Sequence, residues 1–232
     1  MGNRTQFTAN GLTIDGYLAV PASGTGPGVI VLQEWWGLVP HIESIADRFA
    51  AAGYTAFAPD LYHGQQATGP DQAGKLMMSL RIEEAAREMQ AAIQGLLALP
   101  HTSGFPKVGS VGFCMGGLLS LYAACKNPEI GACVIFYGGF PGVTPDIASL
   151  TSPVLGLYAG KDAFVTVDSV HQLEQRLQHH HKPCSFHIYS EADHAFFNDT
   201  RPEVYREADA RDAWGRVLAF YQAHLWGAKS LG

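Results

Sequence analysis

One hexapeptide limits what this chain can become: Gly112-Phe113-Cys114-Met115-Gly116-Gly117. It closes an apolar run, Val108 to Phe113, and opens a helically patterned stretch, Gly116 to Cys125. A side chain held between strand and helix in so tight a turn needs small residues two positions before and two after it, and Gly112 and Gly116 stand there. Such a turn calls for a strand covered on both faces, and therefore for a layered fold of helices on a mostly parallel sheet.

The rest of the chain supplies those layers. Asn10-Gly11 is a hairpin turn dipeptide, leading into a strand from Gly11 to Val20. A turn-rich break, Pro21 to Pro27, precedes the continuous apolar run Gly28-Val-Ile-Val-Leu-Gln33. Helical spacing runs from His41 to Ala52 and stops at Gly53, and a short strand, Tyr54 to Ala58, is closed by Pro59-Asp60. A polar loop reaches Gly74, and a long helix is predicted over Lys75 to Leu99. Strands follow at Ala132 to Tyr137, Val154 to Tyr158 and Ser185 to Tyr189, with helices at Val167 to His179 and Pro202 to Trp226. The alternation predicts an α/β architecture with a doubly wound central sheet, as a single domain over residues 1–232 with no repeat and no linker.

Charge and composition narrow the partners. The formal net charge is −6 with no basic stripe, which argues against a nucleic-acid partner. No stretch approaches the roughly 18 apolar residues of a spanning helix. The N-terminus has no apolar leader, and Gly2 lacks the residues of a myristoylation signal, so a cytoplasmic protein without a membrane partner is expected. The four cysteines, with no CxxC pair, are then reduced thiols. His179-His180-His181 reads as a solvated helix end rather than a metal site, because consecutive helical residues point apart.

The chemistry centres on Cys114. The N-terminus of a following helix stabilises an anion, and the Met115 N–H points to where an oxyanion would form. The bland alternative is a glycine-rich turn around a buried structural cysteine; Cys125, Cys133 and Cys184, within apolar patterns, are read as core. A nucleophile needs a base, and the base an orienting carboxylate; in α/β-hydrolases these follow the nucleophile in the order acid, then histidine. Asp162 follows the strand Val154 to Tyr158, and His194 follows the strand Ser185 to Tyr189. Asp168 reads as first-turn helix charge, and Asp193 sits too close in sequence to orient His194. Glu34 stands directly after the buried run, and Trp35-Trp36 would wall a pocket suited to an ester or lactone. The loop after that strand supplies the second oxyanion donor, assigned to the Trp35 N–H.

Five stretches together resemble one family, the dienelactone hydrolases or carboxymethylenebutenolidases of the α/β-hydrolase fold. They are Gln33-Glu34-Trp35-Trp36-Gly37, Pro59-Asp60-Leu61-Tyr62, the Cys114 elbow, Gly160-Lys161-Asp162, and Glu191-Ala192-Asp193-His194-Ala195-Phe196. The resemblance implies a carboxylic ester hydrolase in which Cys114 attacks, His194 is the base, Asp162 orients it and Glu34 hydrogen-bonds the resting thiol. It implies a monomer with no metal or organic cofactor, and contact of a small ester or lactone with Trp36, Tyr62, Tyr137, Asn198 and Arg201. Four residues after the histidine the family's chlorocatechol enzymes carry a substrate-binding arginine, where this chain has Asn198, so uncharged substrates are expected. A non-catalytic small-molecule receptor and a thiol redox sensor are the readings from other classes.

Overall fold

In the computed structural model of the protein, which describes residues 1–227, Asn10 and Gly11 have φ of 53° and 75°. Two consecutive left-handed residues match the twist of a two-residue hairpin, and they join β1 (Asn3–Ala9) to β2 (Leu12–Ala19) antiparallel. The remaining strands are β3 (Gly28–Leu32), β4 (Thr55–Pro59), β5 (Val108–Phe113), β6 (Ile130–Phe136), β7 (Val154–Ala159) and β8 (Cys184–Tyr189). They form one eight-stranded sheet in the order β1-β2-β4-β3-β5-β6-β7-β8. The β2–β4 pair is antiparallel, and β4, β3, β5, β6, β7 and β8 run parallel. The single domain expected over 1–232 ends in residues 228–232, which lie outside the described residues.

The apolar runs carry two cores at once. In β3, Ile30 and Leu32 join the core on one face while Val29 and Val31 join the other; in β6, Cys133 and Ile135 oppose Ala132, Val134 and Phe136. Successive strand side chains point to opposite faces, so a strand buried on both sides shows no polar alternation. The helices divide accordingly. α3 (Ile82–Leu97), α4 (Met115–Lys126) and α5 (Val167–His179) cover the first face with Met89, Leu119 and Leu177. α1 (Pro40–Ala51) and α6 (Glu207–Leu225) cover the second with Ile42, Phe49, Ala213 and Val217. No helix among the described residues is long and apolar enough to cross a membrane.

Two helix boundaries differ from the sequence reading. The single helix expected over Lys75 to Leu99 is two: α2 (Pro70–Ser79) and α3, separated by Leu80 (ψ 120°) and Arg81 (ψ 106°) in extended conformation. Pro70, at the first helical position, starts α2 five residues early with its fixed φ. The final helix begins at Glu207 rather than Pro202, because the Arg206 N–H reaches back to the Phe196 carbonyl (3.0 Å) and ties the intervening turn to the loop after β8.

Candidate active site

Open parallel sheets place their sites beyond the carboxyl ends of their strands. Here the elbow after β5 comes first. Cys114 has φ 54° and ψ −119°, a conformation that costs a side-chain-bearing residue about 1–3 kcal/mol. The surroundings enforce it: its N–H donates to Phe136 O (3.1 Å), and its carbonyl accepts from Gly117 N (3.0 Å) and Gly139 N (3.2 Å). A Cβ at Gly112 would run into the Gly116 carbonyl, and one at Gly116 into the carbonyls of Leu32 and Gln33. The turn delivers a half-buried thiol at the first turn of α4.

Asp162, after β7, and His194, after β8, meet across that thiol. The Asp162 carboxylate is fully enclosed; Oδ1 accepts from the backbone N–H groups of Phe164 (2.8 Å) and Val165 (2.9 Å), and Oδ2 lies 2.6 Å from His194 Nδ1. A carboxylate so loaded only accepts, so Nδ1 carries a proton and Nε2 is the nitrogen left for Cys114. Burial of His194 works against its charge, but the hydrogen bonds to Asp162 and to Cys114, with the charges of both, prevail and raise it to about 10. The next residue, Ala195, has φ 66°, a second strained position in the same loop.

Glu34 follows β3 and is 2% exposed. Burial lifts its carboxyl above the usual carboxylate range, against the pull of His194, of Asn198 and of Arg201. Its Oε2 accepts from Asn198 Nδ2 (3.0 Å), whereas the thiol of Cys114 interacts with His194. The residues expected at the substrate therefore separate. Trp35 and Trp36 are half-buried and stack edge to face at 5.1 Å. Tyr62 is buried, its hydroxyl 3.3 Å from Met115 Sδ. Tyr137 is buried with φ 38° and an unpartnered hydroxyl, its ring 5.0 Å from that of His194. Asn198 is buried and its amide is engaged by Glu34 and Thr200. Arg201 donates to Glu203 (2.9 Å).

Two side chains escaped the sequence reading. Phe164 is 81% exposed and sets its ring edge-on to His194, 5.5 Å between centroids. Its only sequence mark is an aromatic residue two positions past Asp162. Thr200 donates from N–H and hydroxyl to Asn198 Oδ1, a local motif that Asn-x-Thr spacing permits. At the other end of α5, His179 and His180 are exposed, and no group of residues able to hold a metal ion occurs among the described residues.

The doubly wound sheet, the elbow after β5 and the acid and histidine loops after β7 and β8 define an α/β-hydrolase. Residues 14–225 match the dienelactone hydrolase family, and the chain belongs to that family, a hydrolase of lactones and esters. It is 41% identical over 233 residues to "Protein usf" of Aquifex pyrophilus, covering 97% of this chain and 100% of that one. It is 37% identical to a protein of Aquifex aeolicus named "Putative carboxymethylenebutenolidase", with coverage of 97% and 100%. Among solved structures, one titled "Putative Dienelactone Hydrolase", from Klebsiella pneumoniae, superposes with a TM-score of 0.88 at 30% identity, covering 97% of this chain and 99% of that one.

Proposed function

We propose that this hydrolase cleaves small esters or lactones through a thioester on Cys114, with His194 as base and Asp162 as its orienter. The observation that carries the reading is the 2.6 Å Asp162–His194 contact, with the ring's other side engaged by the Cys114 thiol held at the start of α4. His194 Nε2 takes the thiol proton as Sγ attacks the carbonyl carbon. Charge develops on the carbonyl oxygen, and the N–H groups of Met115 and Trp35 are positioned in sequence to receive it. The intermediate collapses, the C–O bond breaks, and the imidazolium gives its proton to the departing alkoxide. Water then attacks the thioester with His194 again as base, releasing the carboxylic acid and the thiol.

The half-buried Trp35–Trp36 pair and the exposed Phe164 offer apolar surface to a small substrate. The test is hydrolysis of an aryl acetate by wild type and Cys114→Ala, with mass spectrometry of the quenched enzyme. Wild type turns over and accumulates an acetyl adduct on the peptide holding Cys114, while Cys114→Ala does neither. Turnover by Cys114→Ala near the wild-type kcat removes the mechanism.

A further inference from the structure

α1 begins directly after the loop that follows β3, and two of its side chains reach the loop that carries His194. His41 and Arg48 stand seven residues apart, two turns along one face of the helix. His41 is 3% exposed, and its Nδ1 lies 3.2 Å from Oδ1 of Asp199, five residues after His194. The same ring sits edge-on to Phe113, the residue before Cys114, with 6.5 Å between centroids. Arg48 sets its guanidinium over Phe197 (4.7 Å) and Trp214 (4.8 Å), with Nη1 4.0 Å from Asp199 Oδ2. Phe197 in turn stacks on Phe113 at 5.5 Å. One buried side chain therefore touches the strand end that holds the elbow and the loop that holds the histidine.

We propose that His41, backed by Arg48, is a positioning residue that keeps the loop of the base in register with the nucleophile elbow by holding Asp199. The proposal rests on the Cys114–His194–Asp162 reading. A carboxylate only accepts, so Nδ1 donates; burial holds the ring below the ordinary histidine range, against the pull of Asp199, and leaves it neutral near pH 7. Nε2 is then a buried acceptor without a hydrogen-bond partner. A phenylalanine would fill the same space without that unpaired nitrogen, so what the histidine adds here is its bond to Asp199. The loop has need of such a tie. Ala195 stands at φ 66°, a conformation that persists only where the surroundings enforce it. The turn beyond it closes mainly on itself, Asn198 N–H to Ala195 O (2.9 Å) and Arg201 N–H to Asn198 O (3.1 Å), and Asp199 is the side chain that fastens it to α1. The Asp199 side chain is also 44% exposed, so water takes over its hydrogen bonds when α1 lets go, and release shifts the loop more than it destabilises the fold.

The experiment is initial-rate kinetics on an aryl acetate at 25 °C, with thermal melts, for His41→Phe, His41→Asn, Asp199→Ala and His41→Phe/Asp199→Ala. A displaced base slows the chemical step and leaves substrate binding alone, so in His41→Phe kcat falls roughly tenfold while KM stays within about twofold. Its Tm stays within about 3 °C of wild type, a separation of activity from stability that a merely structural role does not give. His41→Asn, whose short amide sets an N–H close to where Nδ1 stood, restores most of kcat. Asp199→Ala reproduces the loss, and the double variant loses no more, the non-additivity expected of one linked pair. Asp199→Ala, which alters a half-exposed side chain, keeps the test open if His41→Phe does not fold. A kcat within about twofold of wild type in Asp199→Ala overturns the proposal, as does a loss that lies in KM. So does a melt that falls into the assay range in both single variants, which makes the bond a structural one. A Cys114→Ala enzyme that still turns over would instead overturn the nucleophile assignment, an outcome read from a different variant.

Discussion

Asp162→Asn removes one charge and changes almost no volume, so its effect is decided by the hydrogen bonds around the side chain. The carboxylate of Asp162 makes three hydrogen bonds: two accepted at Oδ1 from Phe164 and Val165 N–H, and one at Oδ2 from His194 Nδ1. An amide can keep its oxygen toward only one set. Turning NH₂ toward the two backbone donors leaves both of them unsatisfied in an enclosed site, at about 1–3 kcal/mol each. The oxygen therefore stays on the loop and Nδ2 faces His194. Nδ1 then has to accept, and in the neutral ring the proton moves to Nε2, the nitrogen that faces the thiol. The base arrives already protonated.

A wrong tautomer of this kind lowers kcat by about 10⁴ in the serine-protease triad, on the order of 5 kcal/mol in activation free energy. The same loss is expected here for aryl acetate hydrolysis near pH 7. The fold loses far less. One charge-assisted bond becomes neutral, costing on the order of 1–2 kcal/mol. At about 2–4 °C per kcal/mol for a chain of this size, Tm drops by less than about 10 °C. Circular dichroism melts and initial rates at 25 °C separate the two effects. An Asp162→Asn enzyme retaining kcat within tenfold of wild type, with its fold intact, refutes the tautomer argument and with it the role of Asp162.

Iodoacetamide at pH 8 is expected to label Cys114 first, since burial pushes Cys125 up to about 12 and Cys133 to about 11 and raises Cys184 as well. Peptide mapping that finds the half-buried Cys184 modified ahead of Cys114 refutes it. Gly116→Ala sets a Cβ against two backbone carbonyls of the β3 end, so it shifts the elbow or fails to fold, whereas Gly74→Ala, with open space around it, is within about 0.5 kcal/mol or better. For a lactone acid and its methyl ester, the ester is expected to react at least as well, because Asn198 is committed to Glu34 and Arg201 to Glu203. A tenfold preference for the acid that Arg201→Ala abolishes reverses that expectation. Tyr137→Phe deletes a buried, unpartnered hydroxyl and is expected to raise Tm by about 2–4 °C, corresponding to about 1 kcal/mol. A lower Tm shows the hydroxyl to be satisfied in solution.

What could be read from the sequence is what backbone chemistry fixes locally. Gly112 and Gly116 announce the elbow because no side chain fits at either position, and Asn10-Gly11 announces the hairpin because both residues are left-handed. The doubly buried strands are legible for a related reason: a run such as Gly28–Leu32 has no polar face to interrupt it. The break between α2 and α3 is not legible in this way. Leu80 and Arg81 are ordinary helix formers, and their extended conformation lies outside any propensity. The same limit applies to Asn198. Its distance in chain from His194 suggests a residue aimed at substrate, as His194 itself is aimed at the thiol. Its direction is decided instead by Thr200 two positions on and by Glu34, 164 residues away in sequence. Chain order places the proposed nucleophile, acid and base, because each sits at the end of its own strand. It does not carry the direction of a side chain whose partners come from another strand. Residues that act on other residues, rather than on substrate, are therefore the ones a linear reading places least well.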